Sequence, residues 1–180
     1  SCHFATNVIP EGQGVLHALR EDSITKKPLR VIWNGNINGI DTEFFQPSND
    51  KAEVSDSFTF VFIGRIVKDK GIHELTECMR QLNCRLILVG SFEEEDAVSA
   101  SDKEFLTTSE KVKFVGWQSD VRPFLAQADA LVFPSYREGF PNVPMQAGAM
   151  GLPCIVTNIN GCNEIIKDGL NGKIIAAPLK

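Results

Sequence analysis

The chain has 180 residues, 43% of them hydrophobic and 23% charged, with a formal net charge of −5. That length holds one well-cored domain, or one domain plus part of another. The acidic balance leaves no basic stripe for a general nucleic-acid binder, no apolar run approaches the roughly 18 residues that a membrane span needs, and no signal-peptide pattern opens the sequence.

In chain order, residues 1–28 predict one helix, around Glu11 to Arg20, and no strand of their own. Short apolar, β-branched runs follow: LRVIW (29–33), FTFVFIG (58–64), RLILVG (85–90), VKFVG (112–116), ALVFPS (130–135), CIVTN (154–158) and KIIAA (173–177). Several are apolar at nearly every position, as strands covered on both faces are. Between them the pattern predicts helices over Gly71–Leu82, Glu93–Thr107, Val121–Ala126, Val143–Met150 and Cys162–Ile166. The acidic run EEED (93–96) reads as a solvated helix start, where carboxylates suit the dipole. The polar stretch Gln46 to Ser57 reads as a linker or long loop. Alternating strand and helix predict a doubly wound α/β domain with a parallel sheet, whose ligands bind beyond the carboxyl ends of the strands.

Five cysteines (Cys2, Cys78, Cys84, Cys154, Cys162) show no C-x-x-C pair, which fits reduced thiols in a cytoplasmic compartment better than a disulfide frame. His3, His17 and His73 stand far apart, with no second ligand at a zinc-like spacing. No metal site and no cofactor is therefore expected.

Four segments carry chemistry. In IGRIVKDKG (63–71) a buried strand ends at Gly64, where the backbone can approach a ligand closely, and Arg65 and Lys70 flank a helix start. Two cations there make a phosphate or diphosphate site, or simply a solvated turn. It is not a Walker A loop, since G-x-x-x-x-G-K-[ST] is absent. In SYREGFPNVPMQAGAMGLP (135–153), Pro141 and Pro144 delay the helix to about Asn142 or Val143. Asn142 suits the N-cap, and the free N–H groups from Phe140 to Met145 suit an anion. Glu138 then sits in the loop, facing uncharged hydroxyl groups or solvent, and Gln146 early in the helix. IWNGNINGID (32–41) holds two Asn-Gly turns that demand positive φ, and NINGCNEIIKDGLNG (158–172) reads as a short helix and a turn into a last strand.

Together, GRIVKDKG, FVGW followed by ADALVFPSYREGFPNVPMQAGAMGLPCIVTNINGCNEIIKDGLNGKII, and NGNINGID closely resemble the C-terminal, nucleotide-sugar half of retaining GT-B glycosyltransferases of family 4, the glycosyl transferases group 1. The resemblance runs from about Val31 to Ile175 in the family's order. It implies a donor domain over 29–180 without its closing helix, and a remnant or linker from a preceding acceptor half over 1–28. Glu138, Arg65 and Lys70 are then the catalytic set: Arg65 and Lys70 hold the donor diphosphate and Glu138 contacts the sugar hydroxyls. The amides of Phe140, Pro141, Asn142 and Val143 form the cradle, Proline contributing only its carbonyl. Gly64 and Gly116 lie beside the donor, Gly116 near the base, while Gly35 and Gly39 fall in the inter-domain segment.

Where the family's second glutamate binds ribose, this sequence has Gln146. Charge-assisted bonds contribute about 1.5–3 kcal/mol each against about 0.5–1.5 for neutral ones, so the change implies weakened but not abolished binding. The resemblance implies a nucleotide-diphosphate sugar as substrate, a UDP-sugar favoured, and NGNING points toward an N-acetylhexosamine. It implies transfer with retention to a glycan or lipid-linked acceptor in capsule or lipopolysaccharide assembly, without metal, as no D-x-D motif appears. The whole enzyme would be cytoplasmic, peripheral to the inner face of the membrane; the chain alone would bind nucleotide without transferring sugar. The alternatives are a non-catalytic nucleotide-sugar-binding module and a sugar-nucleotide epimerase of the same architecture.

Overall fold

The computed structural model describes residues 2, 4–36, 38–47 and 57–177. Helix α1 spans Gln13–Glu21. After it come β1 (Thr59–Ile63), a 3-10 turn (Lys68–Lys70), α2 (Ile72–Gln81), β2 (Arg85–Val89), α3 (Ala100–Thr108) and β3 (Val112–Gly116). The second half runs α4 (Arg122–Leu125), β4 (Ala130–Phe133), α5 (Asn142–Ala149), β5 (Cys154–Thr157), α6 (Cys162–Ile165) and β6 (Gly172–Ile175). All six strands are parallel in the order β3-β2-β1-β4-β5-β6. This is the expected doubly wound, Rossmann-like α/β fold.

The apolar strands are explained by two cores, one on each face of the sheet. Val61, Ile63, Ile87, Val89, Leu131 and Phe133 point to one face, where Leu125, Ala147 and Ile166 cover them. Phe62, Leu86 and Leu88, the intervening residues, point to the other, beneath Ile72, Leu75 and Met79 of α2 and Leu106 of α3. A period of two with both faces buried favours apolar side chains at successive positions. The switch in strand order falls between β1 and β4, where the loops after the two strands part and leave a crevice.

Three local expectations are corrected. Residues 29–33 form no strand: Leu29 makes one isolated bridge to Val8, and Trp33 is left-handed (φ 55) and 93% exposed. The run is apolar, but it turns into the Asn-Gly segment before it can pair. Residues 93–99 are not helical. Ser99 caps α3, its Oγ accepting from Asp102 N–H at 3.1 Å, and the upstream carboxylates bond elsewhere. Helix α5 begins at Asn142, within the expected range, but its N-cap is Pro141 and not Asn142, whose Oδ1 accepts from Asn36 Nδ2. The Asn-Gly turns do take positive φ, at Gly35 (100) and Gly39 (62). Most of the polar stretch read as a linker, and His3, lie outside the described residues.

Candidate functional site

The loops after β1 and β4 converge at the switch. Beyond Ile63 the chain stays paired for three more residues, Gly64 N–H donating to Val89 O at 3.0 Å and Ile66 N–H to Ser91 O at 2.9 Å. Across the gap Gly90 packs against this segment, where a Cβ would lie 1.8 Å from Gly64 O. The 3-10 turn then ends at Gly71, left-handed at φ 68. A Cβ on Gly71 would lie 2.1 Å from Pro134 O, so the chain passes here against the end of β4 only because no side chain intervenes. Asp69 completes the junction: its carbonyl accepts Tyr136 N–H at 2.9 Å and its carboxylate takes Arg137 Nε at 2.7 Å.

This junction brings Lys70 and Glu138 together. Lys70 Nζ pairs with Glu138 Oε1, and the two side chains are only 14% and 15% exposed. Ser135, 1% exposed, donates its hydroxyl to the same Oε1 at 2.8 Å. Its own carbonyl accepts from the buried Thr157 hydroxyl at the end of β5. Oε1 is thus held twice, while Glu138 Oε2 has no partner among the described residues. The Cys162 thiol lies beside the pair. Burial above all pushes it up to about 12; the Glu138 charge adds to the rise and Lys70 opposes it.

Arg65 stands apart from this pair. It points from the tip of β1 to Glu93 at 3.0 Å, with 60% of its side chain exposed. The two line a cleft of about 360 Å³ with Gly64, Gly90, Trp117 and Gln118. Gly116, left-handed at φ 72, ends β3 at this cleft and its carbonyl accepts Gly90 N–H at 2.9 Å. The carboxylate run read as a helix start therefore supplies loop contacts: Glu93 to Arg65, and Asp96 Oδ2 accepting Asp69 N–H at 2.8 Å.

Asn36 fixes the segment that leads into α5. Its Nδ2 donates to Phe140 O at 2.9 Å and to Asn142 Oδ1 at 2.6 Å. Its N–H donates to Glu11 O at 2.7 Å. Pro141 is buried between these contacts, and the N–H groups of Phe140, Asn142 and Val143 bond to no described residue. Gln146 lies one turn into α5, half-buried, its side-chain amide without a hydrogen bond among the described residues. Spacing did not flag Asn36, Ser135 or Thr157; the density of Asn-Gly turns was the only signal for the first.

A second titratable cluster lies on the outer side of α2. His73 Nδ1 sits 2.9 Å from Asp102 Oδ2, a contact hidden by a separation of 29 in sequence. The hydrogen bond and charge of Asp102 raise the His73 pKa. Burial pushes the Asp102 carboxyl up, but bonds from His73 and Ser99 outweigh it and hold it below its ordinary range. With Glu77 these residues bring three ligand-type atoms within 4.8 Å of one another. Arg80 and Ser99 already contact Asp102, so its oxygens are engaged.

A parallel doubly wound sheet with a Lys70–Glu138 pair at its switch point defines a Rossmann-like α/β domain. Residues 44–180 match the model of one family, described as glycosyl transferases group 1, and the chain belongs to that family. It is 35% identical to the capsular polysaccharide biosynthesis glycosyltransferase CapM of Staphylococcus aureus, over 95% of this chain and 48% of that protein. It is 34% identical to the lipopolysaccharide core biosynthesis glycosyltransferase LpsE of Rhizobium meliloti, over 83% of this chain and 44% of that one. The crystal structure of Anabaena Alr3699/HepE with UDP and glucose superposes with a TM-score of 0.82 at 25% identity, covering 97% of this chain and 50% of that one. The chain thus spans about half the length of the curated relatives it matches. Among the described residues no helix is long and apolar enough to cross a membrane.

Proposed function

We propose that this chain is the donor-binding part of a glycosyltransferase that takes a sugar from a nucleotide-diphosphate sugar, a UDP-sugar first, and transfers it with retention to a glycan or lipid-linked acceptor during polysaccharide assembly. The observation that carries this reading is the meeting of Lys70 and Glu138 at the switch point, with Arg65 one cleft away. A diphosphate needs cations and N–H donors, and a sugar needs hydroxyl acceptors. One compact site offers both. The names of the capsular and lipopolysaccharide relatives, and the UDP in the superposed structure, support the substrate class.

In this reading Lys70 and Arg65 take the diphosphate, and Glu138 Oε2 accepts from sugar hydroxyls. The amides of Phe140, Asn142 and Val143 face the phosphates, and the Gln146 amide faces the ribose. Transfer breaks the bond between the anomeric carbon and the β-phosphate oxygen, and a new bond forms to an acceptor oxygen that gives up its proton. The charge left on the departing diphosphate is what fixed cations and amides stabilise. The chain by itself binds donor and transfers nothing.

A thermal-shift panel of UDP, GDP, ADP and their sugars tests the reading. Ligand at 100 times its Kd adds about 2.7 kcal/mol of stability, a readily measured rise. A rise with uridine nucleotides above the others is expected. No shift with any nucleotide, or sugar transfer by the isolated chain, contradicts it.

A further inference from the structure

The Lys70–Glu138 pair poses a problem for any anionic ligand. A phosphate that takes Lys70 must displace Glu138 from it, and the carboxylate cannot retreat. The Ser135 hydroxyl holds Oε1, and the side chain is largely buried. The arginines of the neighbouring loops are already paired, Arg137 with Asp69 and Arg65 with Glu93. A further carboxylate, Glu11, reaches the same loop, its Oε2 lying 2.6 Å from where a Gly139 Cβ would be. An arriving diphosphate therefore meets negative charge that stays in place.

We infer that Glu138, as the carboxylate partner of Lys70, makes the site select an intact sugar nucleotide over the free nucleoside diphosphate that transfer leaves behind. The inference rests on the donor-site reading above and adds a preference between two of its ligands. A free nucleoside diphosphate ends in a doubly ionisable phosphate, which lies against the stranded carboxylate and is repelled. In the sugar nucleotide that terminal oxygen is an ester, so one charge is gone. Hydroxyl groups stand there instead and donate to Oε2, the oxygen left without a partner. Burial raises the weight of both effects, because little water screens them. The same carboxylate that receives the donor thus helps to expel the product.

Calorimetry of the chain with UDP, UDP-glucose and UDP-N-acetylglucosamine reads the preference as the ratio of the UDP Kd to that of the tighter-binding sugar nucleotide. The wild-type ratio is expected above one. Glu138→Gln keeps the side chain's shape and frees Lys70, so UDP should tighten, the sugar nucleotide weaken, and the ratio fall by about tenfold, the equivalent of 1.4 kcal/mol. Lys70→Met should weaken both ligands and raise the ratio, since the sugar contact survives. Melting curves of both variants verify that they fold. An unchanged ratio in Glu138→Gln, with both ligands weakened alike, overturns the inference and leaves the donor site standing. A wild-type chain that binds none of the three overturns the donor site and the inference together.

Discussion

Glu164, in α6, caps helix α1 from 151 positions away: its Oε2 accepts Gln13 N–H at 2.7 Å and its Oε1 accepts Gly14 N–H at 3.0 Å. The residue in the N-cap position, Gly12, has no side chain to do this. A carboxylate at a helix N-terminus satisfies orphan donors and meets the positive end of the dipole. The contact also seats α1 beside the cradle, since Cβ positions at Gly12 and Gly35 fall against the Phe140 ring.

Glu164→Ala should therefore destabilise the chain by about 1–2 kcal/mol, within the range measured for lost caps. Glu164→Gln, which keeps an acceptor without the charge, should lose less. Urea denaturation gives both numbers. Hydrogen exchange at Asn36, whose N–H donates to Glu11 O just before α1 and whose side chain holds Phe140 O, should quicken in the alanine variant, and unchanged exchange there would separate α1 from the segment at the start of α5.

Gly71→Ala should be more damaging. Its left-handed backbone costs a non-glycine residue about 1–3 kcal/mol, and the added methyl meets the Pro134 carbonyl, which cannot move without bending the end of β4. The loops carrying Lys70 and Glu138 would part. We expect a lowered Tm together with loss of the nucleotide-induced thermal shift. A variant that is destabilised but retains the full shift would show that the two loops need not touch to bind.

These two contacts mark how far the sequence could be read. Strands β1 and β2 are legible because both faces are covered, so their residues after Thr59 and Arg85 are apolar without a break. LRVIW has the same composition and forms no strand, because pairing depends on a partner that composition does not reveal. The loop and helix carrying Glu138 were legible from Pro141 and Pro144, which limit where α5 begins. Lys70 and Glu138 were assigned to one ligand by family resemblance, and their direct pairing across 68 positions was not anticipated. Ser135 and Glu164 gave no signal, since a serine after a strand and a glutamate in a short helix are ordinary; Ser135 bonds to Glu138 three residues on, while Glu164 reaches α1 across 151 positions.

The His73–Asp102 pair should leave a pH signature in stability. His73 has a raised pKa, so its contribution is complete below the unfolded value of 6.5 and fades as pH rises through the folded value. Asp102 has a lowered one, so its contribution is complete above 3.8 and fades as pH falls. The pair is strongest between those limits. The stability difference between wild type and His73→Gln should be largest at roughly pH 5–6 and shrink as pH rises through the raised folded value, above which the imidazole is neutral. Thermal melts across this range measure it, and a gap independent of pH would mean the contact carries no charge.

Thiol chemistry should divide the cysteines. Cys78 is exposed, whereas Cys84, Cys154 and Cys162 are buried. Burial pushes the last two thiols up to about 12, so little thiolate exists near neutral pH. A disulfide reagent should modify Cys78 quickly in the native protein and reach the buried three at a rate that follows unfolding. Labelling of Cys162 as fast as Cys78 would place the Lys70–Glu138 region open to solvent.

Gln146→Glu should tighten nucleotide binding. The Gln146 amide has no hydrogen bond among the described residues, so a carboxylate there displaces no internal contact and should shift unliganded stability by no more than about 0.5 kcal/mol. Against two ribose hydroxyls it would exchange neutral bonds for charge-assisted ones, a gain of about 1 kcal/mol or more, or roughly fivefold in Kd. The position lies in the second turn of α5, beyond the reach expected for the phosphates, so the added charge should not repel them as it would at Phe140 or Asn142. Calorimetry with UDP and with uridine checks both parts of this argument. Equal tightening of the two locates the contact on the nucleoside, tightening of neither removes the ribose from Gln146, and weakening of UDP alone would mean that the phosphates lie closer to this turn than the fold suggests.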